Sequence, residues 1–586
     1  MVRSVRLLAA VGVAAVAFVA AWVAMLPGVA FWDTGELQVV APVLGTAHPT
    51  GFPTYVLLGW LASVILQPLG DPAFRMNVFS GLCLAVAAGV TADLVRALTG
   101  RIALGVAAGI GLALTPFAWA IATHAEAHTL HLALVAILLW LLVAWEDRVR
   151  APRPLALTAT VATGDSSRYD VTRPDRGDRF LIAAAFVYAL AAGNHSLTLL
   201  LAIPIGLFVL AVDPDIWRRG RLVLACLAVL LVTLVLVYLE LPLRAGPFRA
   251  PLVYGTPDTW DGFRYIVLAE QFQGSLADPF GNLGQKFGEL LQRTVVAFGI
   301  LAPLIPFAFL VTALRRPRYA LLTGVAVAIT CFFNASYVNA DITRYYVGPA
   351  LMVWTWLALL AAGVVDALAT GRLRAVAGGA AASPAQEVVA PDGAAALPVT
   401  SGPAPDGDAD PGGVRARAAI LAVLLGAMLL VPTLAVVPDR FKAVDMSQQT
   451  DAASWVDHVM NTVEPNALIL SWWSYSTALW YAQCVDGQRP DVAIIDDRTR
   501  LDENLGGLDD VIDANLGHRP VYVVRLDQRD VQGLAERYQL DYIDGVDATA
   551  LTKVVALRDP ATSKGGSVYP PGRSCAGAAG AKAAGE

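Results

Sequence analysis

A chain of 586 residues that is 56% hydrophobic, with mean hydropathy +0.58, is not a water-soluble protein built around one core. Its formal charge of −6 says little about partners, and no basic patch with interleaved aromatics marks a nucleic-acid binder. The repeated apolar runs predict a polytopic α-helical membrane protein, since a helix satisfies its own backbone in lipid.

The first run, Leu7 to Leu26, is long enough to cross a bilayer and too bulky for a typical signal-peptide core. It reads as a retained first helix. Further spans are expected near 76–95, 102–121, 128–145, 180–194, 197–212, 221–241, 289–312, 319–338, 346–368 and 418–438, roughly eleven in all. Residues 54–68 are also apolar, but Pro53 and Pro68 bracket them, and they are taken as an interfacial or re-entrant helix.

Arginines set the orientation. Arg3, Arg6, Arg96, Arg101, the loop from Arg148 to Arg179, Arg218, Arg219, Arg221, Arg315, Arg316, Arg318, Arg372, Arg374, Arg415 and Arg417 all fall on one side of this arrangement. By the positive-inside rule that side is the cytoplasm, with the N-terminus cytoplasmic and the protein in the plasma membrane. Residues 1–375 form the membrane domain, 376–414 read as a disordered cytoplasmic linker rich in Ala, Gly, Pro and Asp, and 415–438 carry the last span.

After Pro438 the composition becomes that of a soluble domain. Short β-branched runs at 467–470, 492–495, 520–524 and 553–557 alternate with helical stretches near 451–463, 474–484, 508–515 and 530–538. This predicts a small extracytoplasmic α/β domain over 439–560, followed by a disordered tail at 561–586. It has no Gly-rich phosphate loop and no Ser-His-Asp or paired CxxC spacing, so no chemistry is assigned to it. The aromatics Trp472, Trp473, Tyr475, Trp480 and Tyr481 read as domain core or packing on the membrane part, with a saccharide or peptide platform as the other reading. Cys484 and Cys575 are candidates for one disulfide; Cys83, Cys226 and Cys331 lie in or beside apolar runs and read as core residues.

On this topology the ionisable groups gather at the outer face. The first loop carries Asp33 and Glu36, three apart and so on one helix face, then His48. The next outer turns carry His124, Glu126 and His128, then Asn194 and His195, then Arg244 and Arg249, then Asp341 and Arg344, with His131 just below. Ionisable groups at membrane depth are expensive and usually line a functional cavity. His124 and His128, four apart, with Glu126 and Asp33 as oxygen ligands, offer a metal site as an alternative. HExxH is absent, so no metal or other cofactor is assigned and a divalent ion is not favoured.

Several segments, Asp33-Thr34-Gly35-Glu36, then Leu44 to Tyr55 and Arg75-Met76-Asn77-Val78-Phe79-Ser80, resemble a bacterial family of membrane proteins of unknown function. That family is related to the eukaryotic transmembrane O-mannosyltransferases. Glu126, Gly193-Asn194-His195, Pro242-Leu243-Arg244 and Asp341 to Tyr346 extend the likeness over most of the membrane part. The resemblance implies the GT-C glycosyltransferase fold, with a polyprenyl-phosphate-linked sugar as donor and an acidic residue in the first external loop, which maps to Asp33. The family often has Glu-Val-Tyr where this chain has Glu126-Ala127-His128.

Moving a sugar from a lipid phosphate to a hydroxyl needs a base at the acceptor and positive charge at the departing phosphate. One carboxylate acting as base in a single displacement inverts the anomeric carbon. Asp33 is assigned that role, with Glu36 or Glu126 orienting acceptor or sugar. Arg244, Arg344 and His195 are placed at the phosphate, and His48, His128, Asn194 and Asp341 among the substrate-binding groups. The sugar includes mannose among its candidates, and the acceptor is a protein, lipid or polysaccharide hydroxyl. A transporter or flippase for a lipid-linked sugar, and a non-catalytic membrane scaffold, are the competing classes.

Overall fold

The computed structural model describes residues 2–150, 177–339, 341–370, 411–525, 528–544 and 550–563. Among them, eight helices are long and apolar enough to cross a membrane, from Ser4–Val23 to Gly412–Ala435. The other three expected spans are the shorter helices Ile102–Ala113, Asp178–Asn194 and Ala202–Val212, of 12, 17 and 11 residues. Pro53–Ile65 has only 13 residues, about 20 Å of helix and too short to cross. Its proline takes the first helical position, where the missing N–H is harmless.

One expected span is broken. Instead of a single helix over 289–312, Leu283–Phe298 and Ile305–Arg315 are joined by a 3-10 segment, Gly299–Leu304. Gly299 takes φ +54°, and Pro303 removes a backbone donor, so the α-helical ladder is interrupted there.

Small residues bring the helices together. A Cβ on Gly105 would lie 2.3 Å from Ala92 O, and one on Gly109 2.6 Å from Ala88 O. Ile102–Ala113 therefore packs against Pro72–Thr99 closely enough for backbones to meet, the usual device where lipid offers no hydrophobic drive for helix association. At the arginine-rich end, Arg101 and Arg315 share Asp366, Arg219 pairs with Asp178 and Asp213, and Arg316 donates to Leu98 O at 2.9 Å.

The C-terminal domain is a five-stranded sheet: β1 Leu468–Ser471, β2 Ala493–Asp496, β3 Val521–Val524, β4 Tyr538–Tyr542 and β5 Thr552–Leu557. The order is β2-β1-β3-β5-β4, with β2, β1 and β3 parallel and β5 and β4 antiparallel. β4 lies in a stretch without an apolar run, because it is an edge strand with most of its residues at least partly exposed. Most of the expected linker and tail lie outside the described residues, but the linker's end belongs to the helix Pro411–Ala435 and the tail's start to a 3-10 turn, Pro560–Thr562. Cys484 is disulfide-bonded, and its expected partner Cys575 also lies outside them. Cys83, Cys226 and Cys331 are free.

The domain docks through its helix Trp473–Cys484, which packs along the helix Trp32–Val43. Val29, Val39 and Ala73 join Val456, Leu479, Trp480 and Tyr481 in one buried apolar cluster. Tyr481 Oη accepts a hydrogen bond from Ala73 N at 3.1 Å, and Phe31 meets the rings of Trp455 and Tyr475 edge-on. Gly35 is required here: a Cβ would lie 2.2 Å from Ala30 O and 2.8 Å from Thr477 Oγ1.

Candidate active site

The site is built on a polar scaffold inside an apolar bundle. Asn77 and Ser80, three apart on the helix Pro72–Thr99, are fully buried and would be costly there without partners. Asn77 donates to Leu26 O at 2.9 Å and accepts from Gln38 Nε2 and Ala125 N; Ser80 Oγ accepts from Glu126 N at 3.0 Å. Gln38 in turn ties down Gly28 and Ala30. Two turns that carry carboxylates are thereby fixed to one helix.

Those carboxylates meet at a single guanidinium. Arg344, in the 3-10 turn Ile342–Tyr346, donates from Nη2 to Asp33 Oδ2 at 2.6 Å and from Nη1 to Glu126 Oε2 at 2.9 Å. Asp341 stands 3.8 Å from its Nε. Glu126 is also held by His128, whose Nδ1 lies 2.8 Å from Oε1 and whose backbone N–H donates to the same oxygen. The side chain of Glu126 is 4% exposed and that of Asp33 is 26% exposed, so Asp33 is the more accessible carboxylate of the pair.

A cavity of about 940 Å³ opens above this cluster. Asp33, His48, Glu126, His195, Asp341 and Arg344 line it, as does His124. Glu36 does not. It is buried behind His48, accepting from its backbone N–H at 3.0 Å and pairing with Nδ1. Burial alone would favour neutral imidazole, but the Glu36 carboxylate outweighs it and raises the His48 pKa to about 9. His48 is thus a cation in the cavity wall at neutral pH. The backbone around it is constrained: Trp32, Leu44 and Phe52 all take positive φ, at 61°, 51° and 46°, uncommon for such residues.

Three other predicted residues stand back from the cavity. Arg244 donates to Leu44 O at 2.9 Å and Val43 O at 3.0 Å, closing the last turn of the helix Trp32–Val43. Asn194 donates to Ala127 O at 3.0 Å. His128 is buried between Glu126 and the rings of His195 and Tyr345, with centroids 4.5 and 4.8 Å away. Among the described residues no group of three or more His, Cys, Asp or Glu is disposed to hold a metal ion.

Sequence reasoning gave no role to Asn77 or Ser80, although two polar residues one turn apart in an apolar run are a visible signal. Of the far wall it singled out Trp472 and Trp473, within the stretch whose other reading was a saccharide or peptide platform. Tyr254, Gln271 and Phe272 from the connection before Leu283–Phe298, and Trp472, Trp473, Asp497 and Arg498 from the α/β domain, line the same cavity. The aromatic stretch is therefore divided. Tyr475, Trp480 and Tyr481 pack, Trp472 lines the cavity, and Trp473 does both.

Residues 33–217 match the N-terminal domain of the protein O-mannosyl-transferase TMEM260 family. The Mus musculus protein O-mannosyl-transferase TMEM260 is 28% identical over 346 residues, covering 56% of this chain and 44% of its own length. The Dictyostelium discoideum counterpart is 24% identical over 281 residues, covering 47% and 32%. The chain thus spans less than half the length of the curated relatives it matches. Among solved structures, ArnT from Cupriavidus metallidurans bound to undecaprenyl phosphate superposes with a TM-score of 0.55 at 15% identity, covering 92% of this chain and 97% of that one. Its apo form gives 0.52 at 14% identity, covering 92% and 96%. At such identity the likeness is one of fold. Taken together, the N-terminal part of this chain is similar to the eukaryotic protein O-mannosyl-transferases of the TMEM260 family, and its fold is similar to that of ArnT.

Proposed function

We propose that the protein is a membrane glycosyltransferase that moves a sugar from a polyprenyl-phosphate carrier to an acceptor hydroxyl on the extracytoplasmic side. The observation that carries this reading is the accessible carboxylate of Asp33, held by Arg344 against the buried Glu126 at the wall of a cavity of about 940 Å³. The likeness to protein O-mannosyl-transferases, and the undecaprenyl phosphate bound to the ArnT neighbour, support the same class.

In this mechanism the acceptor hydroxyl oxygen attacks the anomeric carbon while its proton passes to Asp33. The bond from that carbon to the phosphate oxygen breaks, and polyprenyl phosphate leaves with the electron pair. Arg344 binds Asp33 through Oδ2, and no described side chain donates a hydrogen bond to Oδ1, which takes the proton. The cationic His48 and the guanidinium of Arg344 stabilise charge growing on the phosphate. A single displacement of this kind inverts the anomeric centre.

The test is turnover by purified, detergent-solubilised protein on a panel of polyprenyl-phosphate sugars, mannose included, with wild type beside Asp33→Asn. The reading expects polyprenyl phosphate to be released by wild type, and a loss of about 10²–10⁴-fold in the variant, the usual contribution of a general base. A folded Asp33→Asn protein with full activity would remove Asp33 as base. Absence of turnover with every donor would move the protein to the transporter class.

A further inference from the structure

His48 and His195 both line the cavity, and both rings pack against Phe52, with centroids 5.1 and 5.7 Å away. Each ring has its Nδ1 committed, but to partners of opposite kind. Nδ1 of His48 pairs with the Glu36 carboxylate, which favours a proton there. Nδ1 of His195 accepts a hydrogen bond from Leu197 N at 3.1 Å. A ring nitrogen that accepts an N–H carries no proton, so the proton of the His195 ring is on Nε2. While that bond holds, the imidazole is neutral and its free nitrogen is a donor.

The bond is an N-cap. His195 precedes the 3-10 segment Ser196–Leu201, which runs into the helix Ala202–Val212, and its side chain satisfies one of the first amide groups. The surroundings act in the same sense. Burial, then His128 and His131 from the helix Ala127–Arg150, then Arg344, hold the His195 pKa well below the usual histidine value, against the opposing charge of Glu126. Tyr345 closes another side of the ring, edge-on with centroids 5.5 Å apart. Nε2 of His128 is shut off from solvent without a partner, whereas Nε2 of His195 is not shut off and is open to a ligand.

We propose that His195 holds the phosphate of the lipid carrier without ever adding charge: Nε2–H donates to a phosphate oxygen while the cap on Leu197 locks the ring in that tautomer. Phosphate is the fitting acceptor because the ring shares Phe52 with the cationic His48, so an anion drawn to one meets the other. An uncharged donor also suits a leaving group. The donor phosphodiester carries a single negative charge, and the monoester it releases carries about 1.5–2 at neutral pH. A second cationic histidine would grip that product harder than the substrate, whereas a neutral N–H orients both and favours release. The assignment rests on the transferase reading for the identity of the lipid.

Two substitutions separate the cap from the donor. In His195→Asn the amide oxygen stands where Nδ1 does, an ordinary N-cap, and the Nε2 donor is gone. In His195→Gln the amide nitrogen reaches the place of Nε2 and the cap is lost. The full chain in nanodiscs is titrated with undecaprenyl phosphate and with undecaprenyl-phosphate mannose at about pH 5.5, 6.5 and 7.5, spanning the ordinary histidine range. His195→Asn is expected to weaken both ligands by about 3–10-fold, the worth of one hydrogen bond, with the same factor at each pH. His195→Gln should bind within about twofold of wild type and show faster hydrogen exchange over Ser196–Leu201. Comparing wild type with variant at each pH cancels the titration of the lipid phosphate itself. His195→Asn within about twofold of wild type throughout would reduce the histidine to a cap and overturn the proposal. A factor that grows about tenfold towards acid pH would show a ring that gains a proton, and a loss confined to the mannosylated lipid would move the contact to the sugar; either overturns it. The expected pattern without turnover on any donor keeps the contact and sinks the transferase reading; wild type that binds neither lipid overturns both. Should His195→Asn fail to fold, His195→Ser, which also caps, carries the same outcomes.

Discussion

Arg344 serves two carboxylates with separate nitrogens, and that geometry belongs to a planar fork. Lysine keeps the charge but cannot reach both oxygens, so Arg344→Lys is expected to lower turnover by about 10²-fold or more, in the range seen when a preorganised charge is removed. A variant within twofold of wild type in kcat would show that the pairing is only structural. At His48 the prediction concerns pH. Because the Glu36 pair raises its pKa from 6.5 to about 9, the stability it contributes is complete below 6.5 and lost as pH rises through about 9. Affinity for polyprenyl phosphate should hold at lower pH and weaken as pH rises through about 9. Glu36→Gln removes the cause of the shift and should bring the weakening below neutral pH; identical pH profiles of Kd in the two proteins would rule out His48 as a phosphate contact. Asp33, Glu126 and Arg344 were legible in the sequence because costly groups converge on one face. Arg244 was not, since closing a helix end some 200 residues away leaves no local trace.

Among the elements, the helix Trp32–Val43 carries both Asp33 and the docking surface for the α/β domain. Gly35→Ala tests whether the two are coupled. The added methyl group meets Ala30 O and Thr477 Oγ1 at distances no packing tolerates, so the helix Trp473–Cys484 must shift. A destabilisation of about 1–3 kcal/mol, the usual range for overpacking, is expected. Hydrogen exchange should report faster exchange along both helices, and exchange unchanged from wild type would count against the docking described. Apolar length and bracketing prolines were enough to place most membrane helices and the short Pro53–Ile65. The break at Gly299–Leu304 escaped because one glycine and one proline in an apolar run fit either a kink or a continuous span. Likewise β4 escaped because an exposed edge strand needs no apolar run. The split of the aromatic stretch was invisible, since which residues follow a strand's carboxyl end depends on where the sheet docks.

For the molecule as a whole, the arginine distribution makes the proposed orientation testable. A single cysteine at Arg316 should react with a membrane-impermeant maleimide only after permeabilisation, and one at Ser447 should react in intact cells. The reverse pattern would turn the protein over and place the site in the cytoplasm. The division of labour also explains what a sequence can and cannot reveal here. The membrane part declares its carboxylates, whereas part of the far wall of the cavity is supplied by a domain whose own sequence shows no chemistry. Finally, Asp33 and Glu126 precede their shared counter-ion by 311 and 218 residues. At usual rates of synthesis the ribosome needs on the order of ten to forty seconds to travel from Glu126 to Arg344. Throughout that interval Glu126 has His128 beside it, but the guanidinium that joins it to Asp33 is not yet made. The join between the two carboxylates is thus made only once synthesis has passed Arg344, and a chain clipped before Ile342 lacks it.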